Sequence, residues 1–465
     1  MKVQTLQRSA LTSTERECSG DLRRHSRNLN PTQHPMQRAR EYTRAVTAAK
    51  LDRMFARPLI AGNLGNGHTD SVTAAAGNRR ALVQFASASA DGQVKLWDLA
   101  SRKCVATIGT AHSRVVTGVV FATGSTQGSE HIYSCSDDGK VHCWSISSLL
   151  QRNNEEDELK SPAPVATWRT AGTFKSIDHH WFDSHFATAS DEAVQIWTPE
   201  RTTPLQSFTD LWGSEDTVNC VRYNPAERCL LANLSADRGI GLHDTRTGNA
   251  LKKTILRMRS NDLQWNPMEP MNFVVANDDY NAYTFDMRKL DQPTKIFKGH
   301  TSAVMAVSWS PTGREFVTGS YDRTLRIFPT NPGGTAREIY HTKRMQKVFT
   351  VNYTMDNKFI VSGSDDSNLR LWKVNASEKL GQLTTREQAA TNYRQALVKK
   401  HQHLPEVRRI HKARKIPKLI KKQTAQTVIM KESADRKQAN RVKYSKKGEH
   451  TFVSERKKVV ARQVD

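Results

Sequence analysis

The chain has 465 residues, enough for one large domain or two to three ordinary ones. Apolar residues make up 37% and mean hydropathy is −0.64, low for a compact enzyme and consistent with a globular body carrying polar extensions. The net charge of +24 is unevenly placed: residues 1–66 hold 12 Lys and Arg against 5 Asp and Glu, residues 375–465 hold 24 against 8, and the 308 residues between them hold 34 against 33.

A near-neutral body with two basic arms suits a chain that docks on an acidic polymer, with RNA, DNA and an anionic membrane as candidates. No stretch approaches the roughly 18 uncharged apolar residues of a spanning helix. The N-terminus lacks the apolar core of a secretory signal. Its Arg, Ser and Thr content suggests a mitochondrial transit peptide, but Glu15, Glu17 and Asp21 argue against one. Cys18, Cys104, Cys135, Cys143, Cys220 and Cys229 form no C-x-x-C pair and no zinc-finger spacing with His. They read as reduced thiols of an intracellular protein, and no metal or cofactor is expected.

The middle of the chain repeats itself. An aromatic residue, once a histidine, closes each unit, at Trp97, Trp144, Trp197, His243, Phe285, Phe328 and Trp372. The intervals are 47, 53, 46, 42, 43 and 44 residues, close to the ~40–45-residue period of four-stranded propeller blades. A polar insert, Asn153–Glu158, accounts for the longest interval and reads as a surface loop. A turn aspartate precedes several closing strands (Asp91, Asp138, Asp322, Asp366), and a histidine opens several units (His68, His112, His300, His341). Alternating runs such as Val304–Trp309 suit half-buried strands. The fold class is therefore an all-β seven-bladed WD-repeat propeller, with a basic, mainly α-helical C-terminal extension and a basic N-terminal arm. The boundaries are 1–57 for the arm, 58–374 for the propeller and 375–465 for the C-terminal domain.

Pairs such as His68 with Asp91, or His300 with Asp322, resemble acid–base hardware. Their recurrence at a fixed period makes them structural, together with Trp97, His341, Asp366 and Trp372, because a catalytic site needs one asymmetric cluster. No G-x-S-x-G, P-loop or H-E-x-x-H is present, so no enzyme is expected. Units three to five are degenerate, held either by a partner or by tolerated drift. Trp181, Trp212 and Trp265 are core residues or partner anchors, with core favoured for Trp265. Pro58–Leu64 is placed to supply the outer strand of the blade ending at Trp372, which would close the ring and bring both arms to one blade.

In the C-terminal segment, Thr385 and Gln388 suggest a capping box, followed by apolar residues at helical spacing (Ala389, Tyr393, Ala396, Leu397). Arg408, Arg409, Lys412, Arg414, Lys415, Lys418, Lys421 and Lys422 then read as a cationic helix interrupted at Pro417, with Arg436, Lys437, Arg441 and Lys443 beyond it. Arginine can clamp phosphates bidentately and lysine supplies point charge, so these twelve are the candidate contacts to an acidic polymer.

Both flanks resemble the suppressor-of-fibrillarin family of WD-repeat proteins. The C-terminal resemblance rests on Val374–Gly381, Val407–Lys418 and Met430–Glu432. The N-terminal one rests on Arg27–Pro31, His34-Pro35, Arg40–Ala45 and Ala49–Ala56. The resemblance implies a non-catalytic nucleolar factor of the small-subunit processome. Its implied partners are precursor 18S ribosomal RNA, the box C/D small nucleolar ribonucleoprotein and other processome proteins, with a single copy per particle and no membrane. The propeller would scaffold proteins and the arms would clamp RNA. Removal of 375–465 is expected to leave a soluble propeller that no longer enters precursor particles.

A second reading is a substrate receptor of a cullin–RING ubiquitin ligase, because the family also resembles receptors whose propellers carry an aromatic-Asp-x-Arg signature. Phe285, Asp286 and Arg288 match it, and His243-Asp244-Thr245-Arg246 matches loosely. Ordinary blade geometry also explains both matches. A histone binder would need an acidic propeller face, and a membrane coat would need an amphipathic arm with large aromatics. Neither feature is evident.

Overall fold

The computed structural model describes residues 5–6, 19–20, 30–123, 131–151, 162–208, 217–331, 333–446, 449–450 and 453–464. Glu15, Glu17, Asp21, Cys18, Arg27–Leu29, the 153–158 insert and Trp212 lie outside them. Seven antiparallel sheets form a ring of blades, each with its first strand innermost. The inner strands are Val72–Gly77, Val116–Phe121, Phe174–His179, Val218–Tyr223, Ser260–Trp265, Val304–Trp309 and Val348–Tyr353. The closing residues from Trp97 to Trp372 all fall on third strands, as the repeat predicts.

Every inner strand shifts register between its first and third residues, so all seven carry a bulge at the same place. The inner strands surround a channel of about 490 Å³. Side chains in its wall bond groups one blade period away. Asp178 accepts from Tyr223 N at 2.8 Å, Asp262 from Val307 N at 3.0 Å and Ser308 Oγ from Tyr353 N at 3.0 Å, while Arg222 donates to Ile177 O at 3.3 Å. Each of these pairs is 45 residues apart. Three of the four involve blades three to five, so the degenerate units are stitched to their neighbours through the channel wall. Trp265 is buried among core residues, and Trp181 is half-buried beneath the Arg79 guanidinium, 3.7 Å from its ring.

The repeated polar residues tie strands within blades. Ser87 Oγ accepts from Trp97 Nε1 at 2.7 Å and lies 2.6 Å from His68 Nε2, whose Nδ1 is 3.8 Å from Asp91. In blade six, His300 spans Thr318 (2.7 Å) and Asp322 (2.8 Å). In blade seven, Trp372 donates to Ser362 at 2.8 Å and Arg370 donates to Asp366 at 3.0 Å, with His341 half-buried on the connection into that blade. Blade four replaces the Trp–Ser pair with His243 and Asn233, 3.0 Å apart.

The ring closes as the sequence suggests. Leu59–Ala61 pairs with Leu369–Lys373, with Leu59 opposite Trp372 and Ala61 opposite Leu371. Leu64, Val72, Phe85 and Trp97 pack there against Val361, Leu369 and Leu371. A second terminal strand was not expected. Val460–Val464 adds a fifth strand to blade four along Asn249–Leu256, with Val464 opposite Lys253 and Val460 opposite Leu256. Val459 and Val460 cover the core between blades four and five. Removing 375–465 would also take this fifth strand from blade four and leave an open edge there.

The helices are α1 (Gln37–Met54), α2 (Ile146–Leu150), α3 (Thr385–His401), α4 (Pro405–Lys412) and α5 (Lys418–Tyr444). The chain divides into two compact units that differ from the three-part division by charge. Residues 1–58 and 375–415 form one unit, and 59–374 with 416–465 form the other. The cap of α3 also differs from expectation. Thr384 is extended and its hydroxyl accepts from Glu387 N at 3.3 Å, which makes Thr385 the first helical residue.

Two outcomes are expected. Ending the chain at Val459 should expose the outer strand of blade four to amide exchange and lower Tm, by roughly 2–4 °C per kcal/mol lost. Unchanged protection there would contradict the pairing. Separately, burial holds His243 at about 4, and burial partly offset by Asp91 holds His68 at about 4. The unfolded chain takes up these protons near pH 6.5 and the folded chain does not, so stability should fall as pH drops from about 6.5 toward 4. Denaturant titrations should assign about 2 kcal/mol of the loss by pH 5 to His243, and His243→Gln should flatten the profile.

Candidate nucleic-acid interface

The first unit is built on small side chains. Ala45, Ala48 and Ala49 of α1 let that helix lie close to Leu397 and Val398 of α3 and Val407 of α4. Glu41 is 4% exposed within this packing and receives Lys400 Nζ at 2.8 Å and His401 Nε2 at 3.1 Å. Burial would raise its carboxyl, but the hydrogen bonds from Lys400 and His401 outweigh that and hold it below the usual range. Tyr42 donates to Glu406 at 2.7 Å. The N-terminal arm therefore serves as a packing partner of the C-terminal helices, and its buried Glu41 carboxylate is paired. The expected ring closure, which brings both arms to one blade, and the alanine spacing at 45, 48 and 49 hinted at this.

The candidate cations of this unit face away from that core. Arg408, Arg409, Lys412 and Lys415 are exposed. Arg414 is half-buried and donates to His411 O at 2.5 Å and Ala413 O at 2.9 Å, which fixes its stem beyond the end of α4. The expected interruption spans residues 413–417, and Pro417 caps α5.

Lys418, Lys421, Lys422, Arg436, Lys437, Arg441 and Lys443 all lie on α5 and all are exposed. They belong to the propeller's unit, not to that of Arg408–Lys415. Ile420 is the buried residue of this 27-residue helix. A helix that buries so little of itself needs anchoring from outside, and the chain's last segment supplies it. Glu455 bridges Lys431 of α5 and Lys298 of the propeller, and those two hydrogen bonds hold its carboxyl at about 2. Lys458 Nζ donates to Gln438 Oε1 at 2.7 Å. Neither bridge uses any of the seven candidate cations.

The aromatic-Asp-x-Arg residues separate by exposure. Phe285 is fully buried in the core between blades four and five. Asp286 holds Arg288 through Nε at 3.1 Å and Nη2 at 2.9 Å, and the Arg288 side chain stays 67% exposed. Only Asp286 and Arg288 are open to a partner.

A ring of seven blades with a basic helical extension defines a WD-repeat propeller protein. The WD-domain G-beta repeat family matches at residues 62–98, 102–145, 291–328 and 338–373, and a Sof1-like domain matches residues 374–460. The repeat matches omit blades three to five, the degenerate units. The zebrafish protein "DDB1- and CUL4-associated factor 13" is 43% identical over 465 residues, covering 100% of both chains. Its mouse counterpart is 45% identical over 460 residues, covering 99% of both. "Protein SOF1" of Saccharomyces cerevisiae is 40% identical over 476 residues, covering 99% of this chain and 94% of its own. The WD40 propeller domain of Doa1 superposes with a TM-score of 0.54 at 18% identity, covering 71% of this chain and 98% of that one. The chain belongs to the suppressor-of-fibrillarin family.

Glu41→Gln should loosen α1 from α3, because Lys400 and His401 lose a buried carboxylate. A cost of about 2–4 kcal/mol is expected. Limited proteolysis should then cut within 37–54 while the propeller stays resistant.

Proposed function

We propose that this protein is a non-catalytic ribosome-biogenesis factor. It acts in the nucleolus as a component of the small-subunit processome and supports 18S ribosomal RNA processing and assembly of the 40S subunit. Its partners are precursor 18S RNA, the box C/D small nucleolar ribonucleoprotein and neighbouring processome proteins, with one copy per particle. The observation that carries this reading is the coincidence of the Sof1-like domain, residues 374–460, with the segment whose cationic side chains lie exposed.

The mechanism is architectural. The propeller is a rigid scaffold, and the exposed arginines and lysines neutralise phosphates of folded RNA without reading bases. Arg408, Arg409, Lys412, Arg414 and Lys415 form one cationic group, and the α5 residues from Lys418 to Lys443 form another. Because they belong to different compact units, each group makes its own contribution to RNA binding.

In-cell RNA crosslinking should give discrete peaks in 18S precursor RNA. The peaks made by this first group should vanish in a variant with Glu at Arg408, Arg409, Lys412, Arg414 and Lys415, while those of the α5 group persist. Absent or diffuse crosslinks would count against the reading. The receptor alternative draws on the printed name of the vertebrate relatives and on the exposed Arg288. It requires that Arg288→Glu reduce binding to the ligase adaptor while leaving the RNA crosslinks unchanged.

A further inference from the structure

In each blade a turn joins the second and third strands, and these turns share one propeller face with the connections leading into the inner strands. In blades one and two the turns contain Gly92 and Gly139, with φ of 80° and 72°. A Cβ would come within 2.5 Å of His112 O at the first and 2.9 Å of Thr170 O at the second. Those turns lie under the next connection and admit no side chain. The equivalent residues of blades four, five and six are Arg238, Tyr280 and Arg323, with φ of 70°, 71° and 63°. This left-handed backbone disfavours any residue with a Cβ, and bulky residues held there cluster at functional sites. All three are exposed, so packing does not explain their size.

The surroundings extend the same chemistry. Arg257 and Arg259 are exposed on the connection into blade five; Arg238 donates to Arg257 O at 3.3 Å and Arg259 to Asn219 Oδ1 at 2.9 Å. Further round the ring, Lys347 Nζ stands 5.2 Å over the Tyr321 ring. Asp237 is paired with Lys253 and Asp322 with His300, while Asp278 and Asp279 in the turn of Tyr280 bond Asn261 and Tyr283. The positive charge of this face therefore sits at Arg238, Arg257, Arg259 and Arg323, on either side of the Tyr280 turn.

We infer that this face of blades four to six binds single-stranded RNA, with Tyr280 as a base-stacking platform and Arg238 and Arg323 holding phosphates on either side. The inference rests on the RNA-binding reading above and adds a surface distinct from the helical cations. An exposed aromatic ring set between guanidinium groups on neighbouring blades suits alternating bases and phosphates. A duplex offers no base face to stack upon, and an acidic peptide would use the cations but not the ring.

The test is fluorescence anisotropy of the full chain with a labelled oligouridine, a labelled RNA duplex and labelled poly-glutamate. Glycine suits the left-handed backbone, so Tyr280→Gly and the pair Arg238→Gly with Arg323→Gly should keep the wild-type Tm. Tyr280→Gly should weaken oligouridine binding about tenfold and leave duplex binding unchanged. The double arginine variant should reduce the slope of log K against log salt by about 1.4. Unchanged oligouridine affinity in both variants, with binding abolished by Glu at Arg436, Lys437, Arg441 and Lys443, would overturn this surface and leave the processome reading standing. Loss of poly-glutamate binding alone would make the surface a protein site and also overturn the proposal. No RNA binding by the wild-type chain would sink both readings.

Discussion

The pairing of Leu59–Ala61 with Leu369–Lys373 is the constraint on which the rest depends. A sheet of four strands in blade seven exists only because the two ends of the repeat region meet. Without it the ring would present two open edges and expose the seam of Leu64, Val72 and Trp97. The same pairing decides where the arms begin. Arg57 N donates to Ala376 O at 3.1 Å, just outside the closing strands. From this shared root, α1 and the helices α3 and α4 reach one another despite more than 300 residues of intervening sequence.

Charge is used in two ways. Within the propeller, aspartates are mostly consumed by the fold: Asp178 and Asp262 bond backbone amides one blade on, and Asp322 and Asp366 hold turns. In the arms, few carboxylates are available, and Glu41 and Glu455 draw in Lys400, Lys431 and Lys298 as anchors. Exposed carboxylates remain on the body, Asp70, Glu192, Glu227 and Asp365 among them, so a positive face is a local matter of where arginines and lysines cluster.

The fold was legible because each blade repeats its own punctuation. The closing aromatics, the turn aspartates and the opening histidines mark strands without any knowledge of packing, and the strand before His68 could be assigned by counting what the last blade lacked. Other features left no such mark. Val460–Val464 is short, preceded by a basic run and non-repetitive, and its pairing with blade four depends on a chain path that local pattern does not encode. The capping residue was misread by one position because Thr384 and Thr385 are chemically equivalent, and backbone geometry alone separates them. The candidate cations were legible as a group. Their division between two compact units was not, because it follows from the extended stretch 413–417 and from the Glu455 bridge. The bulky residues in left-handed turns were visible as letters, but their strain appears only in φ.

Ring closure by distant strands has a consequence for biosynthesis. Leu59–Ala61 leaves the ribosome first and must wait for Leu369–Lys373, about 310 residues later, or roughly 15–60 s at ordinary elongation rates. Blade four waits in turn for its fifth strand, about 200 residues after Leu256. During that interval the nascent chain holds two unpaired sheet edges. The protein's yield in a cell therefore depends on what shields those edges before their partner strands emerge.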